Sequence, residues 1–143
     1  MAKPYARNAT KINTKLDILF SEYIRRRAII NVGGCERCLT PKHDTQKDDG
    51  ATYPAWKQLQ CSHFIGRGRH STRWDEDNAV GLCGACHIYF TSHPLQHTEW
   101  FTAHLSEYEF NLLRARARIT EKVDKEAVRL YLQEQIRNLT ETP

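Results

Sequence analysis

Two evenly spaced cysteine pairs, Cys35-Glu36-Arg37-Cys38 and Cys83-Gly84-Ala85-Cys86, carry the clearest chemistry in this chain. A C-x2-C turn lets two thiolates reach one ion. Two such turns supply four soft ligands, which close a tetrahedral zinc site and leave no open position, so the zinc is expected to be structural. The fifth cysteine, Cys61, has no such partner and is the spare. Two histidines and an asparagine stand around these pairs: His63, Asn78 and His87. An imidazole with an unperturbed pKa of about 6.5 can take a proton from water at neutral pH, which makes His63 a candidate general base. His87 directly follows Cys86 and can offer a ring nitrogen to a divalent ion, which would stabilise charge on a phosphate and its departing oxygen. Asn78 is expected to act as a support, bonding backbone across the intervening loop and holding the His63 strand. A zinc stapling the two pairs would draw all three residues towards one point.

Arginines surround this group. Arg67, Arg69 and Arg73 lie between His63 and Asn78 with no acid among them, and Gly66 and Gly68 let the backbone come close. Arginine forks pair with phosphate oxygens, so these three are the candidate DNA-binding set. Arg25-Arg26-Arg27 forms a second run, and Arg114, Arg116 and Arg118 a third; both suit phosphate contacts or solvated faces. Trp74, beside Arg73, is expected in the core rather than stacked on a base.

Several elements must position these residues. Residues 1–13 are polar and basic with no apolar period, and read as a disordered arm. Thr14 and Asp17 resemble a capping box, and Leu16, Leu19, Phe20, Tyr23, Ile24 and Ala28 follow helical spacing. That predicts a helix over 14–32, stopped at Gly33-Gly34. Residues 39–55 read as a polar loop, 56–65 as a strand broken by Gly66-Arg67-Gly68-Arg69, and 78–82 as a second strand. A helix is expected from about Gly84 to Ser92-His93-Pro94. Residues 98–105 and 107–118 look helical. Asp124 can cap a last helix reaching about Leu139, with Val128, Leu130, Leu132 and Ile136 available to bury. The order strand, loop, strand, helix between flanking helices makes the fold class α+β.

The chain has 143 residues, enough for one domain, and is 40% hydrophobic with a net charge of +4. A core of that size often needs a staple, and zinc would serve. No segment approaches the ~20 apolar residues of a membrane span. Met1-Ala2-Lys3-Pro4 lacks the apolar stretch of a signal peptide, so a reducing cytoplasm is expected, where paired cysteines read as metal ligands.

The order His63, Asn78, Cys83-x2-Cys86-His87 resembles the HNH, or His-Me finger, endonucleases. Leu59-Gln60-Cys61-Ser62-His63-Phe64, Arg73-Trp74-Asp75-Glu76-Asp77-Asn78 and the second C-x2-C are similar to the lambdoid phage NinG/Rap recombination proteins. The resemblance spans about residues 14–95. It implies a zinc-braced ββα-metal core over 35–95, with the 14–32 helix on one side and a helical region, 97–140, on the other, so that 14–143 form one HNH-like domain. It also implies metal-dependent cleavage of DNA, in particular branched DNA such as Holliday junctions, in the cytoplasm of a phage host. A junction offers two cuts, and such enzymes often work as two-fold dimers; the sequence leaves a homodimer open. A catalytic Mg²⁺ or Mn²⁺ suits a site of mixed nitrogen and oxygen ligands that keeps several waters. Ser62 stands where many HNH enzymes carry an Asp or His ligand, and Thr91 stands one turn after His87. Both are poor ligands, so His70, Asp75, Asp77 and His93 are the candidates to complete the shell, and His63 is either the base or a ligand. Ser62 and Thr91 also favour an alternative: a zinc-stabilised DNA-binding protein whose catalytic site has decayed.

Overall fold

The structure is a computed structural model that describes residues 4–141, with side chains from Lys11 onward. Helix α1 (Pro4–Val32) is the longest element. It starts at Pro4, so the expected disordered arm gives way to helix over all but residues 1–3, which lie outside the described residues. Proline suits a first helical turn, and the following Ala, Arg and Lys residues favour helix without needing an apolar stripe. From Leu16 onward the inward face is Leu16, Phe20, Tyr23, Ile24 and Ala28, all buried. Gly33, at φ +73°, ends the helix in the left-handed conformation that only glycine adopts cheaply.

The polar loop that follows is more ordered than expected. It holds a short antiparallel pair, β1 (Thr45–Gln46) with β2 (Thr52–Tyr53). The predicted strand over 56–65 divides in two. Pro54 starts a 3-10 turn over Ala55–Gln58, and only Gln60–His63 forms strand β3. A single α-helical turn, α2 (His70–Arg73), and a 3-10 turn (Glu76–Asn78) fill the arginine loop before β4 (Ala79–Leu82). β3 and β4 are antiparallel, with His63 opposite Ala79 and Gln60 opposite Leu82. Helix α3 (Gly84–Ser92) follows at once, which completes strand, loop, strand, helix in the expected order. The chain then runs through α4 (Pro94–His104), α5 (Glu107–Ala117) and α6 (Lys125–Glu141). Ser106 and Glu109 form a reciprocal capping box on α5, and Asp124 accepts from the Ala127 amide at the start of α6.

The fold is therefore mixed: among the described residues, six helices and two two-stranded sheets. Two apolar clusters hold it together. One joins β3, β4 and α3 to α4 and α5 through Leu59, Val80, Leu82, Phe90, Phe101 and Leu113. The other joins α1 to α6 through Leu16, Phe20, Ile24, Trp74 and Leu132. Trp74 is in the core as expected, whereas Leu130 is 55% exposed. At 100° per residue, Leu130 lies across the helix from Val128 and Leu132, so the three cannot share a face. β4 lies so close to α1 that a Cβ on Gly81 would sit 2.7 Å from that of Ala28.

Candidate metal centre and active site

The four paired cysteines converge. The sulfurs of Cys35, Cys38, Cys83 and Cys86 all lie within 4.8 Å of one another. Cys38 Sγ and Cys83 Sγ are 3.8 Å apart, which is far too long for a disulfide. It matches the edge of a tetrahedron with metal–sulfur bonds of about 2.3 Å. The cluster can therefore hold a structural metal ion such as zinc.

Local backbone geometry builds each half. The first pair sits on a tight hairpin. The Cys35 amide donates to the Thr40 carbonyl, the Leu39 amide donates to the Cys35 carbonyl, and Leu39 itself takes a positive φ of 61°. Gly34 bridges Pro41 so closely that a Cβ would meet the Thr40 carbonyl oxygen at 2.0 Å. Glu36 clips this hairpin to β4: its amide donates to the Gly81 carbonyl, and its carboxylate accepts from the Gly81 amide at 2.6 Å. The second pair opens α3, with Cys83 as its N-cap residue. The Thr40 hydroxyl and amide hydrogen bonds bring the Cys38 thiol down to about 6, whereas burial raises Cys86 to about 12. Arg37 donates to Cys86 Sγ and stacks on Tyr89, which opposes the negative charge of a four-thiolate site. Gly34→Ala is expected to force the hairpin open and lower stability by about 3 kcal/mol, with weaker metal retention; thermal unfolding and metal titration of the variant check this.

His63 and His87 line one open cleft of about 640 Å³, together with Asp17, Ser21, Arg25, Gln60 and Arg67. His63 lies at the end of β3, its ring 5.4 Å from that of Phe20. Its Nε2 lies 2.9 Å from the Arg73 carbonyl oxygen. A carbonyl only accepts, so Nε2 carries the proton and the neutral ring keeps its lone pair on Nδ1. Burial lowers the His63 pKa, and the Arg67 and Arg73 charges add to the shift. His87 Nδ1 lies 2.6 Å from Gln60 Oε1. That bond places the proton on Nδ1 and leaves Nε2 free as a ligand atom.

Asn78 is fully buried and does what its type suggested. Its Oδ1 accepts from the Ile65 amide, and its Nδ2 donates to the carbonyls of Ile65 and Thr72. It ties both ends of the arginine loop together behind His63. Asn78→Ala would leave the Ile65 amide and carbonyl unpaired, while the Thr72 carbonyl keeps the Asp75 amide, so a loss of about 2 kcal/mol is expected. Urea denaturation measures it, and the shorter Asn78→Ala side chain should cost more than Asn78→Asp.

The arginines separate into different roles. Arg73 forms a fork with Asp17, at 3.0 and 2.6 Å, and its side chain is 16% exposed. Arg69 reaches back to the Ala117 carbonyl at the end of α5. Of the three candidate DNA contacts, only Arg67 lines the cleft, loosely drawn to Asp17 at 3.6 Å. In the first run, Arg25 lines the cleft, Arg26 pairs with Glu22, and Arg27 donates to the Glu76 and Ala79 carbonyls. In the third run, Arg116 is bound to Asp75 and Asp77.

None of the residues expected to complete a catalytic shell lines the cleft. Asp75 and Asp77 face Arg116, His70 packs near Trp74, and His93 stacks on Tyr89. Ser62 is buried, and Thr91 donates to the His87 carbonyl. The carboxylate that does reach the cleft is Asp17. Burial opposes its charge, but the Arg73 fork and the Trp74 indole N–H hold it below the usual carboxylate range. Asp17, Ser21 and Arg25 were legible as a polar stripe on α1 at i, i+4 and i+8, beside the apolar face. Cys61 lies outside the metal cluster and forms part of the cleft wall, where burial pushes its thiol up to about 12. No helix among the described residues is long and apolar enough to cross a membrane. The sequence matches no protein-family model, and no curated protein or solved structure matches it.

Proposed function

We propose that this chain is a metal-dependent DNA endonuclease of the HNH type. One observation carries the reading: a neutral imidazole with its lone pair free, a second imidazole with a free ligand nitrogen, and cationic side chains share a single open cleft. His63 acts as the general base, with Nδ1 taking a proton from the attacking water while the Arg73 carbonyl fixes the ring. Arg67 holds the phosphodiester. His87 Nε2 would hold a Mg²⁺ or Mn²⁺, and its Gln60 bond fits that role by setting the tautomer. Such an ion, when bound, stabilises charge on the phosphate and the departing oxygen. One protein ligand suits an ion that retains most of its waters. Zinc on Cys35, Cys38, Cys83 and Cys86 would be structural and would tie the hairpin after α1 to the junction of β4 and α3. Preference for branched or recombination-intermediate DNA, and a phage setting, rest on the resemblance to the NinG/Rap proteins.

A second reading, a zinc-stabilised DNA-binding protein without catalysis, draws on one observation. The carboxylate in the cleft, Asp17, is already saturated by Arg73 and Trp74, so His87 has no acidic co-ligand. Incubating the purified protein with supercoiled and four-way-junction DNA in Mg²⁺ or Mn²⁺ separates the two. The endonuclease reading expects cleavage that depends on the ion. Binding without cleavage in either ion leaves the second.

A further inference from the structure

The arginines in and beside the cleft differ in how their charge is met. Arg73 is neutralised by the Asp17 fork, and Arg67 is 62% exposed and close to the same carboxylate. Arg25 is different. Its Nε donates to the Ser21 carbonyl at 3.1 Å, and its guanidinium lies 4.7 Å from the centre of the Trp56 ring. Those two contacts hold the fork in one orientation at the cleft wall. Among the described residues no carboxylate lies within ion-pair distance of it. Burial disfavours its charged form. The neighbouring Glu22 carboxylate offsets this only from a distance and is already paired with Arg26. A guanidinium taken partly out of water with no ion pair of its own is a site prepared for an anion, because an anion restores the electrostatic energy that desolvation removed. A planar guanidinium fork can pair with two phosphate oxygens, and phosphate is the anion that a phosphodiester site would bring to it.

Resting on the reading of the cleft as a phosphodiester site, the geometry points to Arg25 as its principal phosphate-binding residue, held ready by Ser21 and Trp56. Arg26 is the built-in control. It lies beside the same Trp56 ring, 4.6 Å from its centre, but is paired with Glu22 and does not line the cleft.

The test is binding of a fluorescently labelled DNA duplex in Ca²⁺, followed by anisotropy across a salt series, for wild type, Arg25→Ala, Arg25→Gln and Arg26→Ala. Loss of one phosphate contact lowers the slope of log affinity against log salt by about 0.9 and weakens binding about tenfold at low salt. Both Arg25 variants are expected to show this, and Arg26→Ala is expected to match wild type. Arg25→Gln retains the stem over Trp56, so it answers the question if Arg25→Ala folds poorly. Wild-type slope and affinity in the Arg25 variants overturn the assignment, as does an equal loss in Arg26→Ala or a wild type that binds no DNA. A parallel cleavage assay in Mg²⁺ keeps the two readings apart. Arg25-dependent binding with no cleavage by wild type removes the endonuclease but not the phosphate site; cleavage with unaltered binding in the Arg25 variants does the reverse.

Discussion

A chelator strong enough to strip zinc is expected to unfold this protein rather than soften it. The four thiolates tie the hairpin after α1 to the junction of β4 and α3, and Cys35 and Cys86 are themselves part of the main apolar cluster. Structural zinc contributes apparent binding energies of about 10–16 kcal/mol at neutral pH, as much as the whole stability of a typical domain. Without it, the hairpin is joined to β4 by the two Glu36–Gly81 hydrogen bonds. Elemental analysis should find one zinc per chain, and circular dichroism should show loss of the cooperative thermal transition after chelation. Cys35→Ser should behave like the stripped protein, because a serine hydroxyl is a poor zinc ligand. Ligation requires deprotonated sulfur, so zinc should be released as pH falls. A metal-free protein that melts at the same temperature as the untreated one would remove the staple and, with it, the reason His63 and His87 face one cleft.

His63→Ala is expected to lower the cleavage rate by about 10²–10⁴-fold, the usual worth of a positioned general base. DNA affinity should survive, because the residues proposed to hold phosphate are Arg25 and Arg67. The pH profile carries the sign. The base works as the neutral ring, and burial holds the folded-state pKa below about 6.5. Cleavage should therefore persist at pH 6.5 and fall only as pH drops through the lowered value. Stability follows the same direction. The unfolded chain binds this proton first as pH falls, so the contribution is complete above about pH 6.5 and declines below it. Asp17 works against the shift, and Arg67 with it, so Arg67→Ala should move the acid limb upward and Asp17→Asn should move it downward. An acid limb above pH 7, or wild-type rates in His63→Ala, would take the base role away from this residue.

Much of this was readable before any coordinates. The cysteine spacing placed the metal cluster, because a C-x2-C turn brings its two sulfurs together whatever surrounds it. Asn78 was readable as a support, since a buried amide between two strands must spend its donors and acceptors on backbone. The helices after Gly84 come in the expected order, and Asp124 marks the start of the last one. The helix expected from Thr98 starts at Pro94 instead, because proline, expected there only as the end of the helix before it, also suits a first helical turn. Other elements were not readable. The strand expected from Trp56 shortened to four residues because Pro54 starts a 3-10 turn, which apolar content does not announce. The helix expected from Thr14 starts at Pro4, because helix propensity without an amphipathic stripe leaves no periodic trace.

The arginines mark the boundary most clearly. By themselves, residue types and spacing determined which atoms could bind zinc, which imidazoles could handle protons, and that basic side chains would crowd between them. Those properties depend on bonds a few residues long. Which arginine keeps its charge unpaired depends on which face of α1 packs across the β3–β4 pair: Asp17 takes Arg73 from a position 56 residues away, while among the described residues no carboxylate forms an ion pair with Arg25. Charge pairing at that range is set by where packed helices and strands come to rest, so only the tertiary structure could decide it.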